Sequence, residues 1–533
     1  MKKNYLIILL CAISSMAIGQ TVEIVKDYHD ADKGYGATPT DIISNSSMLV
    51  FSGVVDQEPS SNPMFFPPKN IFEPFVTDGT ASNFLPLDLY QGVDSKGYQN
   101  GSNPSKFFVL KDEIYCVAVN GSGVQKLFKI NDIAGTSEEV AIDWLPQNNL
   151  HNRFVGLTGE NVVWIHRDPA DETDDNYYLI EWNGDVSQAP AIIPNQKGEY
   201  KLASTKPLLL NGPANEVIVI AGDKADGSLG TELIVTYNHM IMGHNIVYSD
   251  LAPGDADGNG YPDASNPENF TELNSVIYLN DSKGQIWMVS QSNGYSAELV
   301  TAVNDGLETG ANNTDILGVF DGKLVVKGKA AGADTWSIFL CDPTATTNAV
   351  EELNVGFEIR NASNVVVSNG IMYFEGEYNS IPYDYANKVT PLWAYDGTTL
   401  KQITTDLNFI SGIYPFNDKI YFTAEDPDAI DNGDGTFSST YKELFVYDPA
   451  GTATSIERAI DNSITVSPNP SYGYVNVAGI DTNATYEIYS VSGSLLEQGA
   501  VINGQIDYNV QSGVYLLKIS EGSNTKVVKI MVK

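Results

Sequence analysis

Between residues 20 and 460 one arrangement of apolar and polar positions keeps returning. An apolar pair, a variable residue, an apolar or aromatic residue and then Asp or Asn make up Leu392-Trp393-Ala394-Tyr395-Asp396 and Leu444-Phe445-Val446-Tyr447-Asp448. Ile338-Phe339-Leu340-Cys341-Asp342, Leu127-Phe128-Lys129-Ile130-Asn131 and Leu179-Ile180-Glu181-Trp182-Asn183 follow the same form, and looser copies begin at Pro74, Ile234 and Ile286. The first residues fall at 74, 127, 179, 234, 286, 338, 392 and 444, a period of 52 to 55 residues. A second element precedes each copy: a turn feeding an alternating strand, clearest in Asn417-Asp418-Lys419-Ile420-Tyr421-Phe422 and Asn369-Gly370-Ile371-Met372-Tyr373-Phe374. Each unit therefore predicts a turn-led strand, a variable loop, the aromatic strand and a third strand such as Thr399-Leu400-Lys401-Gln402-Ile403-Thr404. A short strand such as Ile410-Ser411-Gly412-Ile413-Tyr414 then leads into the next unit.

Three or four antiparallel strands in about 50 residues, with no helical periodicity between them, is the size of one propeller blade. A lone blade cannot bury both faces of its sheet, whereas a ring of blades can. The predicted fold is all-β: an eight-bladed β-propeller over residues 20–460. A seven-bladed ring with one irregular unit is the alternative, because Pro63, Pro67, Pro68 and Pro74 interrupt the first copy. Ring closure needs a strand from one end of the chain, and Thr21-Val22-Glu23-Ile24-Val25 alternates correctly for it. Through Phe75-Val76-Thr77-Asp78-Gly79-Thr80 and Leu392-Trp393-Ala394-Tyr395-Asp396-Gly397-Thr398 the repeat resembles the Leu-Trp-x-Thr-Asp-Gly-Thr repeats of large secreted bacterial propellers. That resemblance supports the fold and names no ligand.

The two ends read differently. Residues 461–533 hold four or five short alternating strands between Gly, Asn and Ser turns, enough for a small Ig-like β-sandwich. Three motifs occur there in order: Pro468-Asn469-Pro470, Tyr489-Ser490-Val491-Ser492-Gly493 and Ser512-Gly513-Val514-Tyr515. With Pro468, Asn469, Pro470, Gly493, Gly513 and Tyr515 so placed, the tail resembles the C-terminal type A sorting domain of the type IX secretion system. The resemblance implies export by that machinery, removal of the domain by a cell-surface protease, and either release or attachment to surface lipopolysaccharide. At the start, Met1-Lys2-Lys3 precedes an apolar run from Tyr5 to Ile18 broken by Ser14 and Ser15, and Ala17-Ile18-Gly19 closes it. This predicts a signal peptide over residues 1–19, cut before Gln20, and a secreted or outer-membrane surface location. The run is too short and too interrupted to span a bilayer.

Composition sharpens the exclusions. The 533 residues carry a formal net charge of −37. The tail holds six acids and four lysines, so the repeat region, with 61 acids against 24 bases, carries all of that net charge. Such a surface repels phosphate backbones and anionic lipid, which excludes nucleic acid as a partner. Cys116 and Cys341 lie inside apolar runs and read as buried thiols.

Candidate chemistry lies in the loops. Asp255-Ala256-Asp257-Gly258-Asn259-Gly260-Tyr261-Pro262-Asp263 offers oxygens from Asp255, Asp257, Asn259 and Asp263, a carbonyl at Tyr261 and a glycine for the sharp turn. A hard cation such as Ca²⁺ needs that pattern, and the segment resembles the Asp-x-Asp-x-Asn-Gly loops of dockerin-like and integrin-type repeats. It departs from them at the twelfth position, where Asn266 replaces a bidentate acid and Glu268 comes two residues late. The predicted role of Ca²⁺ is structural. The acidic stretches Asp426–Gly435 and Asp168–Asp175 read as solvated loops. No zinc-protease helix, Gly-x-Ser-x-Gly elbow or phosphate loop occurs, and four scattered arginines cannot build a carboxylate clamp. Two functional classes follow: a non-enzymatic module binding glycan or protein, and a carbohydrate-active hydrolase with two carboxylates in its channel.

Overall fold

A computed structural model of the chain describes residues 21–28, 35–58, 69–141, 154–158, 161–167, 177–187, 191–192, 200–202, 208–211, 216–224, 230–239, 243–253, 263–308, 314–354, 357–379, 390–404, 407, 409–425, 442–450, 465–467, 471, 473–478, 484–490, 495–502, 504–510, 513–521 and 524–533. It divides into two compact units, one of Val22–Asp448 and a second containing Pro449–Lys533.

Among the described residues, the first unit is eight antiparallel sheets in chain order. Seven run from an inner strand through a second and a third to an outer one, and the fourth sets two strands, Tyr200–Leu202 and Leu208–Asn211, against its second strand Glu216–Lys224. The sixth is Asp315–Phe320, Lys323–Gly328, Ser337–Cys341 and Val350–Glu352. The seventh is Glu358–Ser368, Ile371–Asn379, Leu392–Tyr395 and Leu400–Gln402. The eighth takes Ser411–Phe416, Lys419–Glu425 and Lys442–Asp448, and its outer strand is Thr21–Ile24 from the other end of the chain. The Val25 amide fastens that strand's exit by donating to the Leu444 carbonyl at 2.9 Å. In the first unit of the repeat Leu49–Glu58 pairs with Lys69–Thr77 along nine register positions with a bulge between Val54 and Asp56, and Pro74 sits opposite Ser52; Pro63, Pro67 and Pro68 lie outside the described residues. The inner strand of each sheet lies beside that of the next, and the inner strand of the eighth lies beside that of the first.

The sheets whose burial is described bury two faces, so their strands read as nearly continuous apolar runs. In the seventh, Met372, Phe374, Trp393 and Tyr395 pack with Val325, Ile338 and Leu340 of the sixth. The alternate residues Tyr373, Leu392 and Ala394 pack with Ile420, Phe422, Phe445 and Tyr447 of the eighth. The same layering joins the eighth sheet to the first through Phe51, Phe75, Tyr421 and Leu444. Cys116 and Cys341 sit free in two of these layers. Burial pushes the Cys341 thiol up to about 12, which keeps it inert at neutral pH.

The Asp that closes the aromatic strand is a turn former. Asp396 Oδ1 accepts from the Thr398 amide (2.9 Å), the Thr398 hydroxyl (2.7 Å) and the Thr399 amide (2.8 Å). Asp342 and Asp78 hold Thr344 and Thr80 in the same way. Gly79 and Gly397 follow at φ 87° and 91°, a region that side chains avoid, which explains Asp-Gly-Thr as a signature. The bonds from Thr398, then Thr399, hold the Asp396 carboxyl down at about 2.

Neighbouring sheets are also tied by side chains at the start of the third strand. Glu73 is 2% exposed and accepts from the Ser102 amide (2.8 Å), the Ser102 hydroxyl (2.5 Å) and the Leu89 amide (3.2 Å), all in the connection to the second sheet. Glu232 repeats the arrangement with the Ser265 amide (2.8 Å), the Ser265 hydroxyl (2.5 Å) and the Leu251 amide (2.8 Å). Glu443 accepts from the Ala37 amide at 3.2 Å, joining the eighth sheet to the approach to the first. In the fifth, sixth and seventh sheets the direction reverses. Asn304, Asn354 and Thr404 of the connections accept from the amides of Ile286 (2.9 Å), Ile338 (2.8 Å) and Leu392 (2.9 Å).

Burial pushes the Glu73 carboxyl up to about 7, against the pull of the Ser102 and Leu89 donors and with a smaller push from Asp88. A carboxyl raised in the fold binds its proton more tightly there than in the unfolded chain, so its effect is to favour folding as pH falls. The stabilisation is complete below the ordinary glutamate value of 4.5 and is lost as pH rises through about 7. The full chain is therefore expected to melt at a higher temperature at pH 5 than at pH 8. Glu73→Gln should melt lower at pH 5 and show a flatter pH profile; a profile identical to the parent's would refute this role for Glu73.

Candidate functional site

The second unit is a sandwich of two sheets. One is Thr465–Ser467, Tyr474–Ala478 and Gln505–Asp507, and the other, in spatial order, is Leu495–Ala500, Thr485–Ser490, Gly513–Glu521 and Asn524–Val532. That is seven strands where the sequence pattern predicts four or five, because Thr465–Ser467 and Gln505–Asp507 are too short to show alternation. Val475, Val477, Tyr486, Ile488, Ile506, Leu517, Ile519 and Ile530 fill the space between the sheets.

Gly513 and Tyr515 of the closing motif lie in one strand. Gly513 is opposite Val532, and Tyr515 stands between Ser490 and Ile530, packed against the core. A Cβ at Gly513 would come 3.1 Å from the Tyr515 hydroxyl and 3.3 Å from its ring, so glycine makes room for the tyrosine to lie back along its own strand. The final strand pairs with Gly513–Glu521 over its whole length. The chain's last residue is fixed too: the Lys533 amide donates to the Ser471 carbonyl at 3.0 Å, and the Tyr508 side chain bonds to that of Ser471. The segment just past the Pro-Asn-Pro motif is thereby joined to the C-terminal strand. Pro468, Asn469, Pro470 and Gly493 themselves lie outside the described residues.

Four ligands of the cation loop, Asp255, Asp257, Asn259 and Tyr261, also lie outside them. Asp263 is described and half-buried, two residues before Ser265, which is clamped to Glu232. Glu268 opens the inner strand of the fifth sheet and is held by the Asn280 amide at 3.4 Å. The signal segment 1–19 and the acidic stretches 168–175 and 426–435 lie outside the described residues as well. Among the described residues no group of three or more His, Cys, Asp or Glu could hold a metal ion. No helix among them is long and apolar enough to cross a membrane.

In six of the eight sheets the side-chain ties set the third strand beside the approach to the next inner strand. From the sixth sheet to the eighth, the ends of the second strands and the starts of the third thus lie at one rim. Titratable groups gather at these strand ends. Asp315 pairs with Lys327 at 2.6 Å, and the Asn280 and Asn269 side chains link it back towards Glu268. Burial, then the charge of Asp315, pushes the Glu268 carboxyl up. Glu375, 6% exposed, accepts from Ser363 and from Asn364 on the doubly bulged inner strand of the seventh sheet. Burial raises the carboxyls of both Glu375 and Glu425, with Lys442 pulling each back. Sequence reasoning missed these groups, because 67 acids offer no periodic signal that separates buried from exposed carboxylates.

Comparison with known proteins bears on both units. Residues 465–533 match the family described as the secretion system C-terminal sorting domain. The tail marks the chain for export by the type IX secretion system to the cell surface or beyond. No curated protein matches the chain. Solved structures that it resembles include the β-propeller domain of the trilobed protease from Pyrococcus furiosus, at 9% identity over 66% of this chain and 98% of that one with a TM-score of 0.35. PorZ, an essential bacterial surface component of the type IX secretion system of Porphyromonas gingivalis, matches at 13% identity over 93% of this chain and 75% of that one with a TM-score of 0.28. The computationally designed Ika8 protein matches at 12% identity over 81% of this chain and 100% of that one, with a TM-score of 0.38.

The close fit of Gly513 against Tyr515 yields a test. Gly513→Val should displace the tyrosine, loosen the sandwich and lower the amount of protein exported, measured by immunoblot of cell and medium fractions. Parent-level export would show that this contact is dispensable.

Proposed function

We propose that the chain is a type IX cargo whose first unit is a closed, eight-bladed β-propeller acting outside the cell as a non-enzymatic binding module for glycan or protein. In this reading residues 1–19 direct the chain across the inner membrane. Residues 461–533 engage the secretion machinery and are removed by its surface protease, and the propeller is released or held at the surface. The observation that carries binding over hydrolysis is how two of the deeply buried carboxylates are employed. Glu73 and Glu232 each spend their oxygens on three donors from a connection between sheets, an arrangement that serves architecture.

One observation favours the second reading, a hydrolase acting on carbohydrate. Glu268, raised by burial and by Asp315, stands near an aspartate anchored by Lys327, and glycoside hydrolysis uses a protonated acid beside an ionised carboxylate. Hydrolysis of any polysaccharide by the parent, lost in Glu268→Gln, would favour it.

Deletion of residues 465–533 is expected to leave the protein inside the outer membrane, read by protease accessibility of intact cells; unchanged surface exposure would refute the export reading. The loop Asp255–Asp263 is proposed to hold one structural Ca²⁺ through Asp255, Asp257, Asn259, Asp263 and the Tyr261 carbonyl. Chelation with EDTA should then lower the melting temperature of the parent and leave Asp257→Ala unmoved. An EDTA-insensitive parent would remove calcium from the account.

A further inference from the structure

Two places on the loop rim share a composition that packing does not require. Phe409 lies in the connection into the eighth sheet, 50% exposed, with φ at 54°. Thr38, Asn103 and Asn266 hold the same left-handed backbone (φ 43°, 45° and 44°) two residues before the inner strands of the first, second and fifth sheets, so the conformation belongs to the fold and Phe409 is the bulky apolar exception among polar occupants. The Lys442 ammonium lies over the Phe409 ring, 5.5 Å from its centre. Glu425 is the register partner of Lys442 across the second and third strands. The sixth sheet repeats the set in the loop between its second and third strands. There Lys329 lies 5.4 Å from the centre of the Trp336 ring, and Trp336 is only half-buried. Glu308 is fastened to that loop: its amide donates to the Lys329 carbonyl at 2.8 Å and its carboxylate accepts from the Gly332 amide at 3.1 Å. The Trp336 backbone is fixed by its amide donating to Glu358 at 3.1 Å.

We propose that Phe409 with Lys442 and Glu425, and Trp336 with Lys329 and Glu308, are two subsites for an uncharged oligosaccharide on the loop rim. A pyranose ring has one apolar C–H face that stacks on an aromatic ring, and a girdle of hydroxyls that both donate and accept. In each subsite a lysine donates and a glutamate accepts. A purely apolar ligand has no use for a lysine over the ring, and a polyanion is repelled by the acidic surface. Two like sets, in the sixth and eighth sheets, suit a ligand whose units repeat.

This inference rests on the binding reading, and the test separates the two. The mature full chain is titrated calorimetrically with hexasaccharides of β-1,4-glucan, β-1,3-glucan, β-1,4-xylan and α-mannan. At least one should bind. Phe409→Gly and Trp336→Ala should each weaken that binding at least tenfold, and the double variant should abolish it. Lys442→Arg should retain more affinity than Lys442→Met. Phe409→Gly relieves the strained backbone, so its melting temperature should equal or exceed the parent's; a strained functional residue behaves this way and a packing residue does not. A hexasaccharide that binds the double variant within twofold of the parent overturns the subsites and leaves the binding reading standing. So does a marked fall in melting temperature for Phe409→Gly. Failure of the parent to bind any of the four overturns the subsites together with the glycan part of the binding reading.

Discussion

Two-sided burial is the constraint from which the rest of the first unit follows. A sheet such as the seventh, with Phe374 and Trp393 on one face and Tyr373 and Leu392 on the other, is insoluble unless both faces are covered. The successive sheets supply that cover for one another, and the first and eighth do so through Phe51, Phe75 and Leu444. Apolar burial has no direction, however, and flat sheets slide easily. Register between neighbours is set by a different class of contact: Glu73, Glu232 and Glu443 reaching forward, and Asn304, Asn354 and Thr404 reaching back. These ties act on the third strand in six of the eight repeats, so one geometric rule is met by three different side-chain chemistries.

How much of this was legible follows from what each feature does to the local pattern. The aromatic strand and the polar residue that ends it impose a period because the layer packing recurs between sheets, and in three units that residue is an Asp capping a Thr two places on, as at Asp78, Asp342 and Asp396. The strand Thr21–Ile24 could be assigned its closing role in advance, because a ring needs such a strand and that segment alternates. The ties were hidden. Glu73 and Glu443 precede their copies by one residue and Glu232 by two, and an acid so placed reads as ordinary surface until its donors are seen. The lysine-capped aromatics were hidden too, since Trp336 and Phe409 fall outside the periodic positions and look like any loop residue.

In the tail the order was the reverse. Motifs were plain in sequence, while their physical reasons came from the fold. Gly513 is required by the ring of a residue two places on, and Ser471 matters because it receives the last amide of the chain. A short motif is informative when several distant constraints converge on it, and here the closing strand, the core and the terminus all meet.

The pairing of Thr21–Ile24 with Lys442–Asp448 has a kinetic consequence. Thr21–Ile24 is the most N-terminal strand among the described residues and has its partner more than 400 residues downstream, so it must wait unpaired while the other sheets assemble. Closing a loop of that length costs only slightly more entropy than closing one half as long, because the penalty grows with the logarithm of length. Time is the larger burden: contacts this distant in sequence form slowly. Until they do, the eighth sheet shows an open edge able to pair with any extended chain nearby. The exposure begins when the last repeat forms and ends when Thr21–Ile24 docks on Lys442–Asp448, so mispairing is most costly in that interval.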